Sequence, residues 1–190
     1  MKLAELTLIT TNEGKYLEII DALEGTGVSI RRIDREYPEI QTDTLESVVG
    51  FGLNYLKPFV PGPFIIDDSG LFVDALGGFP GVYSSYAFRT IGNEGILTLL
   101  KGKGNRRASF RTVLGMVHEG KEHFFRGECR GYISELPKGV NGFGFDPIFV
   151  PEGREMTFAE MSVQMKNDIS HRGMALRRLK NFLVNHGTLS

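Results

Sequence analysis

The chain has 190 residues, of which 41% are hydrophobic, and a formal net charge of −1. This suits one domain with a sizeable core, residues 1–190, and argues against nucleic acid as the main partner, because binding a phosphate backbone needs a basic face. The single cysteine excludes an internal disulfide, and the absence of both an apolar run of roughly 20 residues and a signal peptide predicts a cytoplasmic protein without a membrane partner.

Strand and helix patterns alternate in the first half of the chain, as is typical of an α/β domain. The predicted elements are a strand at 6–10, a helix at 16–23, a strand at 28–33, a helix at 43–56, a strand at 63–67 and a helix at 92–100. Spacings of three place Leu17, Ile20 and Leu23 on the buried face of the first helix. Asp43 and Glu46 fit a capping box for the second. Its predicted buried residues are Leu45, Val48, Val49, Leu53 and Leu56.

The second half begins with alternating residues, 108–128, that predict two antiparallel strands turning near Glu119 and Gly120. Residues 132–134 predict one more short strand, and 138–153 contain too much glycine and proline for a regular element. A helix is expected at 170–185, with Leu176, Leu179, Phe182 and Leu183 facing inward. The predicted fold is one α/β domain around a mixed sheet.

The segment TTNEGK, residues 10–15, lies at the first strand–helix turn. Backbone N–H groups at a helix N-terminus suit a phosphate, and Lys15 adds a full positive charge. Thr10, Thr11 and Asn12 offer further hydrogen bonds. The segment is not a P-loop, because GxxxxGK[ST] is absent. An ordinary helix cap with a solvated lysine is the alternative.

Two adjacent acids, Asp67 and Asp68, follow an apolar run and are expected at the end of a buried strand, with Ser69 and Gly70 in a tight turn. Two carboxylates there can hold Mg²⁺, or one can act as a general base. Glu39 contributes if the fold brings it near Asp68. The alternative is a turn that exposes both acids to water.

Aromatic and basic residues mark two later segments. In GFGFDP, residues 142–147, the rings of Phe143 and Phe145 can stack on a flat base or enter the core. Lys166, His171 and Arg172 cluster at the start of the last helix, where cations are disfavoured unless an anionic or carbonyl-bearing ligand compensates. Solvated charges at a capped helix are the alternative. Together the segments describe a nucleoside triphosphate site.

The motifs TTNEGK, EIQ, DDSGLFVDALGGFPGVYS, GFGFDPIF, FAEM and KNDISHRG occur in this order along nearly the whole chain. In this order and spacing they resemble the inosine triphosphate pyrophosphatase family. The resemblance implies hydrolysis of non-standard purine nucleoside triphosphates (ITP, dITP, XTP) to the monophosphate and pyrophosphate, with Mg²⁺ as cofactor. It also implies a long mixed sheet flanked by helices, two lobes around a substrate cleft, and a homodimer. Two alternatives are a nucleotide-sensing module without turnover and a pyrophosphatase for other modified nucleotides.

The resemblance also implies roles for individual residues. Glu39 and Asp68 would hold the metal, and Asp68 would accept a proton from the attacking water. Because a metal-bound carboxylate is a weak base, Asp67 could share that work, and the cation would offset the repulsion between the two acids. The substrate-binding residues would be Thr10, Thr11, Asn12, Glu13, Gly14, Lys15, Ser69, Phe143, Gly144, Phe145, Asp146, Lys166, His171 and Arg172. Phe143 would stack on the base, while Arg172 or a protonated His171 would donate to its 6-carbonyl.

Overall fold

The computed structural model describes residues 5–185, which form one mixed sheet with helices packed on both faces. Its strands are β1 (Glu5–Ile9), β2 (Ser29–Ile33), β3 (Phe64–Val73), β4 (Arg107–His118), β5 (Lys121–Ile133) and β6 (Phe149–Pro151). Their order across the sheet is β2-β1-β3-β4-β5-β6. β1 is parallel to β2 and β3, and the other neighbours are antiparallel. The predicted α/β class with a long mixed sheet is confirmed.

The helices are α1 (Glu13–Leu23), α2 (Leu45–Leu56), α3 (Ser84–Thr90), α4 (Gly92–Leu99), α5 (Val163–Ile169) and α6 (His171–Asn185). Single 3₁₀ turns lie at Asp74–Leu76, Gly81–Tyr83, Asp146–Ile148 and Phe158–Glu160. Within residues 5–185 no helix is long and apolar enough to cross a membrane. Two short helices, α3 and α5, were not predicted from the sequence.

Packing at the two ends of β3 defines two lobes: a first lobe at its start and a second lobe at its far end. At the start of β3, Ile65 packs against α1 and α6 on one face of the sheet, while Phe64 and Ile66 pack against α2 on the other. At its far end, Leu71 and Val73 pack with α3, α4 and the segment 145–161. The polar middle of β3 therefore lies between the two lobes.

β3 is longer than predicted. It pairs with β4 at every residue from Phe64, opposite Val117, to Val73, opposite Ala108. The predicted strand end at residue 67 and the tight turn at Ser69 and Gly70 are therefore wrong. Because the ladder continues through the acids, the alternative of a solvent-exposed turn is excluded as well.

The later strands are partly as expected. The turn between β4 and β5 lies at Glu119 and Gly120, as predicted, and both residues have positive φ. Residues 132–134 form no separate strand, because β5 continues to Ile133 in register with β4. The prediction of no regular element in 138–153 is wrong at β6, which pairs with the end of β5.

The first two helices depart from their predicted faces and caps. In α1, Leu17 is 50% and Ile20 37% exposed, whereas Glu18, Ile19 and Leu23 are buried. The predicted buried face is therefore right at Leu23 but wrong at Leu17 and Ile20, because an ion-paired glutamate lies on the inner side. In α2 all five predicted buried residues are buried. Its N-cap, however, is Thr44, which accepts from Ser47 N, while Glu46 pairs with Arg126.

The last helix begins at His171 and buries Leu176, Leu179 and Leu183, as predicted, with Phe182 packed at the edge of the same cluster. Its first turn lies directly against β5. A Cβ added to Gly127 would come within 1.8 Å of the His171 carbonyl oxygen. Only glycine at this position allows so close an approach of helix and strand.

Gly127→Ala should therefore destabilise the protein by about 1–3 kcal/mol or more, since the obstacle is backbone and cannot rotate away. Urea unfolding measures the effect. The matched control is Gly104→Ala, because nothing lies within 4 Å of a Cβ at Gly104. Equal stability of the two variants would contradict the close approach of α6 to β5.

Candidate functional site

A cavity of about 490 Å³ opens beside the middle of β3, between the two lobes. Most of the predicted site residues line it: Thr10, Thr11, Asn12, Lys15, Glu39, Asp68, Ser69, Phe143, Gly144, Phe145, Asp146, Lys166, His171 and Arg172. Asp67 lines it too. Segments separated by more than a hundred residues in sequence therefore meet at one place.

Asp67 and Asp68 project to opposite faces of the sheet, because side chains alternate along a strand. Asp67 shares the face of Ile65, where α1 and α6 pack, and Asp68 shares the face of Ile66, where α2 packs. Two adjacent charges thus have separate surroundings, and each must be explained by its own partners.

The chain's own cations neutralise Asp67. Its Oδ2 accepts a hydrogen bond from Arg172 Nε at 3.0 Å, and its Oδ1 lies 3.5 Å from Lys15 Nζ. Burial opposes ionisation, yet Lys15 and Arg172 hold the pKa of Asp67 below its ordinary value. The explanation that a bound cation offsets this charge is therefore wrong for Asp67. A carboxylate so strongly paired is also a poor base.

Asp68 lies among other acids. Burial raises its pKa to about 6, Lys15 opposes the rise, and the charges of Glu39 and Asp67 add to it. Burial and the same three carboxylates, Asp67, Asp68 and Glu39, raise the pKa of Tyr37. Glu39 and Asp68 are thus close enough to repel each other across the cavity.

This pair of carboxylates fits a hard cation. Mg²⁺ takes one or two protein carboxylates and completes its shell with water and phosphate oxygens. Within residues 5–185 no group of three or more His, Cys, Asp or Glu side chains could hold a metal alone. A cation on Glu39 and Asp68 would therefore need ligand oxygens from a substrate.

A buried chain of charges links α1, α5 and α6. Glu18 pairs with Lys166 at 2.6 Å and with Arg172, and Lys166 reaches Asp146 at 2.5 Å. The side chains of these four residues are at most 4% exposed. Burial opposes it, but Arg172 and Lys166 lower the pKa of Glu18. For Asp146 burial prevails over Lys166, and its pKa is raised.

Arg172 has a structural role that the sequence did not reveal. Its Nε, Nη1 and Nη2 donate to Asp67, Glu18 and the Ser69 hydroxyl. These three nitrogens already have partners in the chain, which leaves few N–H groups free for a ligand. Donation by Arg172 to a purine carbonyl stays a prediction. Lys166 lies in the separate helix α5, so the prediction that it belongs to the start of the last helix is wrong.

His171 is neutral. Its ring stacks on Phe110 with centroids 4.8 Å apart, and only 3% of the residue is exposed. Burial, and then Arg172, Lys166 and Lys15, lower its pKa well below the ordinary value. The direction of this pKa shift disfavours the expected protonated donor, and donation by His171 stays a prediction.

The loop before α1 is held in place from β2. Asn12 caps the helix by accepting from Lys15 N at 2.9 Å. Arg32 donates to the Thr10 carbonyl at 3.2 Å and to the Thr11 carbonyl at 3.3 Å, and it also pairs with Glu13. Glu13 thus binds Arg32 and does not line the cavity. Its assignment as a substrate ligand does not fit this geometry.

The ring of Phe143 lies among residues of α1, α5 and α6. Lys166 Nζ is 4.8 Å and Arg172 Cζ 5.6 Å from its ring centroid. A Cβ on Gly14 would come within 2.2 Å of the ring, so Gly14 contributes space for it and does not itself line the cavity. Phe145 instead enters the core, 3% exposed and edge-on to Phe88 at 5.4 Å.

Sequence analysis missed several residues of the site, among them Tyr37 and Arg89, which line the cavity, and Glu18 and Arg32, which pair with its residues. For Glu18 a signal was available, because Tyr16, Ile19 and Leu23 also form an apolar face, and Glu18 lies beside it. Arg32, Tyr37 and Arg89 have ordinary sequence surroundings. Their positions follow from pairings between distant segments.

Fold and site together define an α/β protein whose polar cleft, between two lobes, is suited to a charged ligand. Comparison with known families is more specific. Residues 6–182 match the model of the Ham1 family, and the chain therefore belongs to this family. The resemblance drawn from the motifs is thereby confirmed.

Similar proteins cover nearly the whole chain. The dITP/XTP pyrophosphatase of Pyrococcus horikoshii is 51% identical over 94% of this chain and 96% of that protein. The dITP/XTP pyrophosphatase of Thermococcus kodakarensis is 52% identical over 94% of this chain and 96% of that protein. A Ham1 protein of Coxiella burnetii has a similar solved structure, with a TM-score of 0.82 and 30% identity, covering 97% of this chain and 100% of that one.

Proposed function

We propose that this protein hydrolyses non-standard purine nucleoside triphosphates, ITP, dITP and XTP, to the monophosphate and pyrophosphate. One structural observation carries the proposal: the loop and N-terminus of α1, with Lys15, share a cavity with the acidic pair of Glu39 and Asp68. Donors for phosphate and carboxylates for a cation are thus placed side by side. The names of the similar archaeal proteins support the same substrate class.

Asp68 is the proposed proton acceptor. Without a bound cation the pKa of Asp68 is raised to about 6, whereas Lys15 and Arg172 keep Asp67 ionised, so Asp68 takes up a proton more readily than Asp67. A water oxygen would attack the α-phosphorus while its proton passes to Asp68. The bond from that phosphorus to the bridging oxygen breaks, and pyrophosphate leaves with the electron pair.

Lys15 and the N–H groups at the start of α1 would stabilise the charge on the phosphates. Asp67 keeps Lys15 in position, since Lys15 Nζ also donates to the Asp67 carbonyl at 3.0 Å. We propose Mg²⁺ as cofactor on Glu39 and Asp68, where it would offset charge on the leaving pyrophosphate. The ring of Phe143 would stack on the purine.

We also propose that the protein works as a homodimer in the cytoplasm. Tyr83 and Tyr86, at 43% and 64% exposure, place aromatic surface on and just before α3. Sedimentation equilibrium tests the dimer, and a single monomeric species at micromolar concentration would exclude it.

The reaction is tested by anion-exchange analysis of products from dITP, ITP, XTP, GTP and ATP, with and without Mg²⁺. We expect monophosphate and pyrophosphate, formed much faster from the first three nucleotides and only with the metal. Diphosphate plus inorganic phosphate would mean that the attacked phosphorus is misassigned. Binding without turnover would favour a nucleotide-sensing module.

A further inference from the structure

Three of the cations that line the cavity are already paired with buried carboxylates. Lys15 pairs with Asp67, Lys166 with Glu18 and Asp146, and Arg172 with Asp67 and Glu18. Their charges are largely offset within the chain. They can still stabilise individual phosphate oxygens by hydrogen bonds, as proposed for Lys15, but together with their carboxylates they offset little of the net charge of a polyanion.

Three acids of the cavity, by contrast, have no cation as partner among the residues that the structure describes. Within residues 5–185 the cavity acids Glu36, Glu39 and Asp68 take part in no ion pair. A triphosphate, with about four negative charges near neutral pH, would be repelled by these three acids. A bound cation can offset part of the charge, and unpaired arginine or lysine side chains must offset more.

Two cavity cations remain, Arg35 and Arg89. The guanidinium of Arg35 lies 4.7 Å from the ring centroid of Phe59, so it has an aromatic partner. Arg89 is exposed and donates from Nη1 to the Ser85 hydroxyl at 2.9 Å. In the described part of the chain, Arg89 is the one cavity-lining cation with neither a carboxylate nor a ring as partner.

The helix that carries Arg89 is firmly mounted on the second lobe. Ser84 Oγ accepts from Leu71 N of β3 at 2.8 Å and donates to the Gly81 carbonyl at 2.7 Å. Phe88 packs edge-on against Phe145. Ser85 and Phe88, on the same helix, also line the cavity. Arg89 therefore lines the cavity from a helix, α3, that is held in place by these contacts. It lies in the second lobe, whereas Lys15 lies in the first.

We propose that Arg89 is a substrate-binding residue that contacts the terminal phosphates of the triphosphate and makes affinity depend on phosphate number. The inference rests on the proposed function and extends it. Lys15 on the first lobe and Arg89 on the second then hold one phosphate chain between them. Ser85 orients the guanidinium before substrate arrives.

The test measures binding without chemistry. Titration calorimetry gives Kd for sodium tripolyphosphate and for IMP with wild type, Arg89→Gln and Arg35→Gln. Arg89→Gln should weaken tripolyphosphate binding about 10-fold or more, the loss of a charge-assisted contact, and leave IMP unchanged. Arg35→Gln removes the same charge from the same cavity and should change either Kd less than about 3-fold. Arg89→Lys should restore part of the loss.

Three results would overturn the assignment. They are an unchanged Kd for tripolyphosphate in Arg89→Gln, an equal loss for IMP, and an equal loss in Arg35→Gln. An equal loss for IMP would assign Arg89 only to the stability of α3 through Ser85. The proposed function is judged separately by turnover of dITP in the wild type, so failure of one is not mistaken for failure of the other.

Discussion

Asp68→Asn should lower kcat by about 10²–10⁴-fold, because the amide cannot accept the proton of the attacking water. Pyrophosphate release from dITP at saturating substrate measures the loss. Asp74→Asn is the matched control, an exposed aspartate just past the end of the same strand, and should stay within about twofold. Near-normal turnover of Asp68→Asn would remove Asp68 from the mechanism.

The same variant should be more stable than the wild type in the absence of metal. The pKa of Asp68 is raised to about 6 in the folded protein, so the unfolded chain releases this proton first. Ionised Asp68 therefore costs stability, and the cost grows as pH rises from about 4 and is complete above about 6. Asparagine removes a cost on the order of 3 kcal/mol at pH 7.5. Urea unfolding with a chelator should show this gain at pH 7.5 and little at pH 4.

Arg172→Leu should destabilise the fold by about 3–5 kcal/mol, because it leaves Asp67 and Glu18 buried without their shared cation. Urea unfolding at pH 7 measures the change. Arg178→Leu, on the exposed side of α6, removes the same charge and should cost about 0.5 kcal/mol or less.

A second substitution separates charge from packing in this prediction. Glu18→Gln, added to Arg172→Leu, removes one of the stranded carboxylates and should restore part of the lost stability. Additive losses in the double variant would mean that Arg172 stabilises through its packed methylene groups alone.

Much of the fold was predictable because its patterns are local. The apolar face of α2, the turn at Glu119 and Gly120, and the buried side of α6 depend on neighbouring residues. The end of β3 was not predictable in this way. Its continuation through Asp67 to Val73 depends on pairing with β4, more than thirty residues away.

The site residues were found through motifs, while their partners were not. Sequence placed Asp67 and Asp68 together as one feature, but strand alternation sends them to opposite faces of the sheet. The ion pairs of Arg172 and the lowered pKa of His171 both depend on burial among charges from distant segments. The burial of Glu18 could not be predicted either, because a charged residue in a helix is usually solvated and its partners Lys166 and Arg172 lie far away in sequence.

The ion pairs that join α1 to the last two helices determine when folding can finish during synthesis. Glu18 is made 148 residues before Lys166 and 154 before Arg172. A nascent chain that ends before α5 contains Glu18 and Asp67 but none of the α5 or α6 cations that pair with them. The buried carboxylates beside the cleft can therefore gain these partners only after α5 and α6 have been made, which places the completion of the cleft at the end of synthesis.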